Sequence, residues 1–307
     1  MAQLAVPRPF TVVCDTDDRD EWLSHRASSI GASEIAAVLG ESPWLSPLAL
    51  WAIKAGRFQR DLSDNEAVWW GNKLEAPIIE AYSERTGRQT RKAGVLLRSV
   101  EHPWATCTLD GETWLTANDN PWPLEIKNTS SFKSDDWENG PPPHYELQCQ
   151  QQMLVTGATK ATIAALIGGQ RMVWADVPRN ETEIRRIVFH GSRFWERIQR
   201  GDMPEPDGTE SSKRALAALY PDGEGIKVLP ATVINDADEL EQAKSEVARL
   251  KKRIDAIENG VRAALGESEV GVLSDGRSFV WRNQKRASYT VPECEFRVLR
   301  LKQPRDR

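Results

Sequence analysis

The chain has 307 residues, 40% hydrophobic and 28% charged, with a formal net charge of −5. That is enough apolar material for one large domain or a domain with an appendage, and the acidic balance gives no global sign of nucleic-acid binding while leaving room for a local basic groove. No apolar run is long enough to span a bilayer, the opening MAQLAVPRPF lacks the basic start and apolar core of a secretion signal, and the scattered Cys14, Cys107, Cys149 and Cys294 argue against zinc or iron–sulfur sites and for a reducing, cytoplasmic setting.

Residues 17–26 (DDRDEWLSHR) read as a short helix carrying Trp22. Further on, Ser33 is placed as the N-cap of a short helix that Gly40 closes. Beside Arg26, the same hydroxyl and the exposed N–H groups of a helix start would also suit a phosphate, although capping alone explains Ser33. Ser46-Pro47 opens the next helix, which ends near Gly56. A longer helix is expected from about Asp64 to Thr86, stopped by Gly87. Its apolar face holds Ala67, Trp70, Leu74, Ile78 and Tyr82. Glu75 sits at the edge of that face, either as an ordinary exposed glutamate or as a carboxylate aimed at a site.

Strand texture follows over Gly94–Arg98 and Trp104–Leu109, then Asp110-Gly111 and Leu124-Glu125-Ile126-Lys127. The side-chain period of two puts Glu125 and Lys127 on one face, with Leu124 and Ile126 on the other. Asp110 ends the preceding apolar run, so two carboxylates and an amine converge at one end of a small sheet. Oxygen ligands of this kind hold Mg²⁺ or Mn²⁺, and a neighbouring ammonium orients a water or stabilises phosphoryl charge. This is the chemistry of metal-dependent phosphodiester hydrolysis. Taken alone, the same alternation is also the solvated face of an edge strand.

Residues 128–143 form a polar, proline-rich loop. His144 to Thr156 reads as a helix closed by Gly157, with Tyr145, Gln148 and Gln152 on one face and Gln150 on another. A hairpin around Gly168-Gly169 and an amphipathic helix over Asn180–Arg200 complete an α/β pattern. The expected division is a domain over 1–203, a linker over 204–232 and an extension over 233–307. In the extension, Leu240, Ala243, Val247, Leu250, Ile254, Ile257 and Val261 are spaced alternately 3 and 4 apart. This is a coiled-coil-like heptad seam whose partner, another subunit, another helix or the same chain, stays open. Asp275-Gly276 then signals a β-hairpin. Most of the twelve tryptophans are expected in the core or at subunit contacts.

The pieces are Arg26…Ile30-Gly31-Ala32-Ser33-Glu34, Gly40…Ser42-Pro43-Trp44, Gly71-Asn72-Lys73-Leu74-Glu75, Leu109-Asp110-Gly111, Leu124-Glu125-Ile126-Lys127, and Tyr145-x-x-Gln148-x-Gln150 leading into Val155-Thr156-Gly157. As an ordered set over roughly residues 20–200 they resemble the YqaJ-like viral recombinase family. That family is grouped with phage lambda-type exonucleases in the PD-(D/E)XK nuclease superfamily. The resemblance implies a restriction-endonuclease-like core, a mixed sheet flanked by helices. It implies Asp110, Glu125 and Glu75 as ligands of Mg²⁺ or Mn²⁺, and Lys127 as the residue that positions or activates the attacking water. Gln148 becomes the helix glutamine beside the catalytic strand, with Gln150 and Tyr145 as secondary candidates. Arg26 and Ser33 would hold a 5′-terminal phosphate.

The implied activity is 5′-to-3′ degradation of one strand at double-stranded DNA ends, in phage or prophage recombination within a bacterial host. The implied assembly is a homotrimer working with a single-strand-annealing protein. Two other readings use the same residues: an endonuclease of the same fold, and a non-catalytic DNA-binding or assembly protein built on the heptad segment.

Overall fold

The computed structural model describes residues 8–59, 64–288, 290, 293 and 295–302; Cys294 and the first seven residues lie outside them. The chain divides into two compact units, Met1–Tyr220 and Pro221–Arg307.

The first unit begins with strand β1 (Phe10–Asp15), helix α1 (Arg19–Ala27), the short strand β2 (Ile30–Gly31) and helix α2 (Ile35–Val38). Helices α3 (Pro47–Lys54) and α4 (Glu66–Thr86) follow, then strands β3 (Gln89–Lys92), β4 (Val95–Ser99), β5 (Ala105–Thr108), β6 (Gly111–Trp114) and β7 (Trp122–Thr129). Helix α5 (Pro143–Thr156), strands β8 (Lys160–Ile167) and β9 (Arg171–Pro178), and helices α6 (Glu181–Arg200) and α7 (Glu210–Leu219) complete it. The helix punctuation is local chemistry. Ser46 caps α3, its hydroxyl accepting from Ala49 N at 3.1 Å. The Asn65 side chain caps α4, and Gly87 ends it at φ +69°, a left-handed value that favours glycine.

Two sheets share the unit. One has the order β1-β4-β5-β2 and the other β3-β6-β7-β8-β9. The second is mixed: β7 and β8 are parallel, and the other neighbours are antiparallel. The parallel pair needs a crossover, which α5 supplies. The chain passes from the first sheet to the second between β5 and β6, at Asp110. Gly111 follows because a Cβ there would lie 3.1 Å from the Arg91 carbonyl oxygen and 3.3 Å from Ile79 Cδ1.

The expected mixed sheet flanked by helices is therefore present, with several differences in detail. Ser33 does not cap a helix: residues Ala32–Glu34 form a 3-10 turn, and Glu34 accepts the Gly31 N–H at 2.7 Å. Only the C-terminal part of α4 is covered, at Ile78, Ile79 and Tyr82, while Trp69 and Trp70 are exposed. The strand over Gln89–Lys92 carries no apolar alternation. The span assigned to a linker contains α7, which packs on α3; Ala215 is fully buried, and Ser211 Oγ accepts from Ser46 N at 3.0 Å. Trp51, Trp104, Trp122 and Trp137 are the buried tryptophans; the other eight are half-buried or exposed, so most lie outside the expected core.

The second unit carries helix α8 (Val233–Leu265) and strands β10 (Val270–Val272) and β11 (Ser278–Val280), paired antiparallel around the Asp275-Gly276 turn. The helix and hairpin expected from the heptads and the Asp-Gly signal are both there.

Candidate active site

Glu125 lies on β7, central in the five-stranded sheet, and is 1% exposed. A buried carboxylate must be paired or hydrogen-bonded. Glu125 has three donors. Lys127 Nζ, two residues along the same face, bonds Oε1. Gln148 Nε2 donates to Oε1 at 2.6 Å, and Gln152 Nε2 to Oε2 at 2.5 Å. The alternation read from the sequence thus belongs to a buried strand, and the solvated-edge reading is set aside.

Asp110, at the passage between the sheets, accepts the Ile126 N–H at 2.8 Å, which ties it to the same strand. Burial, and then the Glu125 charge, push its carboxyl well above the usual carboxylate range, against the pull of Lys127 and the Ile126 N–H. Glu75, on α4, is raised for the same two reasons, with Lys92 and Lys127 opposing. Burial lowers Lys127, but the Glu125 and Asp110 charges outweigh it and keep the ammonium above its ordinary range. The Tyr145 ring lies 4.8 Å from Lys127 Nζ, a cation–π contact.

Helix α5 brings four glutamines indoors, and they divide three tasks. Gln148 and Gln152, four apart on one face, hold Glu125. Gln151 donates to Ile30 O at 2.8 Å and Thr106 O at 3.1 Å, joining α5 to the first sheet. Gln150 points away from the carboxylates: it donates to Pro178 O at 2.8 Å and accepts from Asn180 N at 2.9 Å. Gln150, a secondary site candidate from the sequence, is a clamp on the β9–α6 corner. Gln152 belongs beside Glu125 instead. Its helical phase with Gln148 was the signal that could have placed it there.

Arg26 and Ser33 come together, with Arg26 Nη2 donating to Ser33 Oγ at 3.3 Å. Arg26 stacks over Trp22 and pairs with Glu34 at 3.1 Å. Glu34 also pairs with the buried Lys54 at 2.7 Å. Two cations on one carboxylate leave this corner with surplus positive charge. A cavity of about 440 Å³ is lined by Arg26, Ser33, Trp44, Lys127, Tyr145 and Gln148. A second recess, of about 370 Å³, is lined by Glu75, Asp110, Arg91 and Lys92, among others. Glu125 lines neither. It bonds Lys127 and Gln148 of the first, and its charge acts on Glu75 and Asp110 of the second.

Glu75, Asp110 and Glu125 offer only carboxylate oxygens, the donors that a hard divalent cation takes. Burial first, and the Glu125 charge second, raise the pKa values of Asp110 and Glu75; a cation held among these oxygens would offset the charge repulsion, so the donor chemistry fits it. Among the described residues, no three acids, histidines or cysteines stand close enough to form a ready-made cage.

Residues 21–159 match the model of the YqaJ-like viral recombinase domain. That stretch is similar to the domain and spans less than half of the chain. The candidate site residues, from Arg26 to Gln152, all lie inside it. The chain is 28% identical over 268 residues to an uncharacterized protein, YqaJ, of Bacillus subtilis (strain 168), covering 84% of this chain and 81% of that one. It is 29% identical over 150 residues to the uncharacterized protein R354 of Acanthamoeba polyphaga mimivirus, of which it spans 26%. Among solved structures, an alkaline exonuclease (LHK-Exo) from Laribacter hongkongensis aligns with TM-score 0.48 and 20% identity, covering 66% of this chain and all of that one. A phage related exonuclease from Haemophilus somnus 129PT aligns with TM-score 0.42 and 13% identity, covering 56% of this chain and 96% of that one. Both structural likenesses are loose. Among the described residues, no helix is long and apolar enough to cross a membrane.

Proposed function

We propose that this protein is a metal-dependent exonuclease that degrades one strand of linear double-stranded DNA from the 5′ end. The observation that carries the reading is a juxtaposition. Asp110, Glu125 and Lys127 meet where β5, β6 and β7 adjoin, and Lys127 shares one cavity with the Arg26–Ser33 pair.

Glu75, Asp110 and Glu125 would hold Mg²⁺ or Mn²⁺, which supplies a water of lowered pKa and charge stabilisation at the scissile phosphate. The chain's own residues do the rest. Lys127, whose ammonium form the Glu125 and Asp110 charges favour, would position or activate the attacking water. Tyr145 restricts where that ammonium can swing. Gln148 and Gln152 fix both oxygens of Glu125, so the carboxylate enters the reaction already oriented. Arg26, braced by Glu34, would grip a terminal phosphate together with Ser33. A phosphate contact sets register without reading bases, which suits an enzyme that must digest any sequence. The same proposal takes in a homotrimeric assembly, cytoplasmic action during phage or prophage recombination, and a single-strand-annealing partner.

Asp110→Ala, Glu125→Ala and Lys127→Ala should each cut digestion of a linear duplex by about a thousandfold or more while circular dichroism stays unchanged. A folded variant that digests at the parent rate would remove its residue from the active site.

A further inference from the structure

Helix α8 runs over Val233–Leu265, 33 residues, with no buried side chain. At about 1.5 Å per residue it is about 50 Å long. Its heptad seam lies open among the described residues: Val247 is 65% exposed, Ile254 55% and Ile257 58%. A continuous apolar stripe of this length calls for a cover.

The charges that flank the stripe say which cover fits. With Leu240, Val247, Ile254 and Val261 at the first core position, the second core position holds Ala243, Leu250, Ile257 and Ala264. The flanking positions before each first core residue are Glu239, Glu246 and Arg253, and those after each second core residue are Lys244, Lys251 and Glu258. In a parallel, in-register pair, each residue of the former set faces the latter set one heptad on in the other helix. The facing pairs are Glu239 with Lys244, Glu246 with Lys251, and Arg253 with Glu258. All three are of opposite sign, and the last reverses polarity relative to the first two, so the complementarity is not a uniform stripe of one charge.

Antiparallel registers that close the same seam bring like charges together. One sets Lys244 against Lys251 beside Glu246 against Arg253; the other sets Lys251 and Arg253 each against its own copy beside Lys244 against Glu258, so each offsets its attractive pairs with repulsive ones, which the parallel register does not. Within one chain, Glu246 and Glu258 have exposed pairs with Arg249 and Arg262, which are worth little and easily exchanged. The Val247–Leu250 layer is the combination that favours two strands, while the Ile254–Ile257 layer does not add to that preference, so the strand number is read from the thiol count in the test below.

We propose that α8 pairs with α8 of a second copy of this chain as a parallel, in-register, two-stranded coiled coil. This pairing is independent of the nuclease reading and of any assembly made by the first unit.

The test uses the full chain carrying Cys294→Ser, since Cys14, Cys107 and Cys149 are buried. In this background Val247→Cys places a thiol in the core, opposite its own copy, and Ser245→Cys places one on the outer face. Mild oxidation should convert most of the Val247→Cys chain to a covalent dimer and little of the Ser245→Cys chain. Reversing one flank with Lys244→Glu and Lys251→Glu should raise the concentration for half-maximal cross-linking on the order of a hundredfold at low salt. Adding Glu239→Lys and Glu246→Lys should restore it. Equal cross-linking at the two positions would overturn the proposal. So would a persistent odd thiol, the sign of three strands, or insensitivity to the charge reversal.

Discussion

Gln152→Leu should weaken the first unit and slow the enzyme, and the two effects can be separated. Gln152 is fully buried, and its Nε2 is the donor to Oε2 of the nearly buried Glu125, at 2.5 Å. A hydrogen bond to a charged group contributes about 1.5–3 kcal/mol, and losing it leaves that oxygen unpaired. The change has an offset. Gln152 Oε1 is itself buried without a partner, so leucine removes an unsatisfied acceptor and returns about 1 kcal/mol. The net loss is about 0.5–2 kcal/mol, or roughly 1–8 °C in Tm for a unit of this size. Freeing one side of Glu125 should also cost about 10–100-fold in turnover per folded molecule. Gln150→Leu is the matched control. It loses two bonds on the same helix, to Pro178 and Asn180, so it should lower Tm while leaving turnover intact. Thermal unfolding and digestion of a linear duplex report on both variants. A Gln152→Leu protein with parent Tm and parent rate would refute the reasoning, and so would a Gln150→Leu protein that loses turnover equally.

Asp110→Asn should stabilise the metal-free protein at neutral pH while abolishing activity. The Asp110 pKa is raised by folding, so the native state holds its proton longer than the unfolded chain and parent stability falls as pH rises above the ordinary carboxylate range. The variant should lack that decline, as unfolding curves across pH would show. Millimolar Mg²⁺ or Mn²⁺ should raise the parent Tm, since the ion neutralises the gathered acids, and should leave Asp110→Asn less affected. Asp176→Asn should cost about 1–2 kcal/mol away from the site, because it breaks the two-pronged contact with Arg88 at 2.6 and 2.9 Å. Burial raises the Asp176 pKa, but Arg88 and Thr162 outweigh it and hold it below the usual value. Its stabilisation is therefore present above the unfolded carboxylate pKa and fades as pH falls through the folded one, a decline that chemical denaturation of the variant should lack.

Much of this was legible from local chemistry. Ser46-Pro47, Gly87 and Gly157 mark helix ends by rules that act over a few residues, and the structure places those ends as expected. The period of two put Glu125 and Lys127 on one face, and the Lys127–Glu125 bond follows from it. What the sequence hid depends on distant partners. Strand β3 (Gln89–Lys92) is polar and forms only because β6 lies beside it. Nothing local says that the chain changes sheets at Asp110, which is what brings that acid beside Ile126. Ser33 has a good capping side chain, yet Glu34 takes the Gly31 N–H and leaves the hydroxyl for Arg26. On α4, helical periodicity gave Ala67 and Trp70 the same standing as Ile78 and Tyr82, and only tertiary packing separates them.

The central claim is end-dependent hydrolysis at the Asp110–Glu125–Lys127 centre. Its most direct test is purified protein with Mg²⁺ on a linear duplex labelled at each end in turn, with and without 5′-phosphates, and on the same DNA as a covalently closed circle. The account predicts release of nucleotides from the linear form only, from the 5′ end, and faster when the phosphate is present. Cutting of the closed circle at a comparable rate would contradict it.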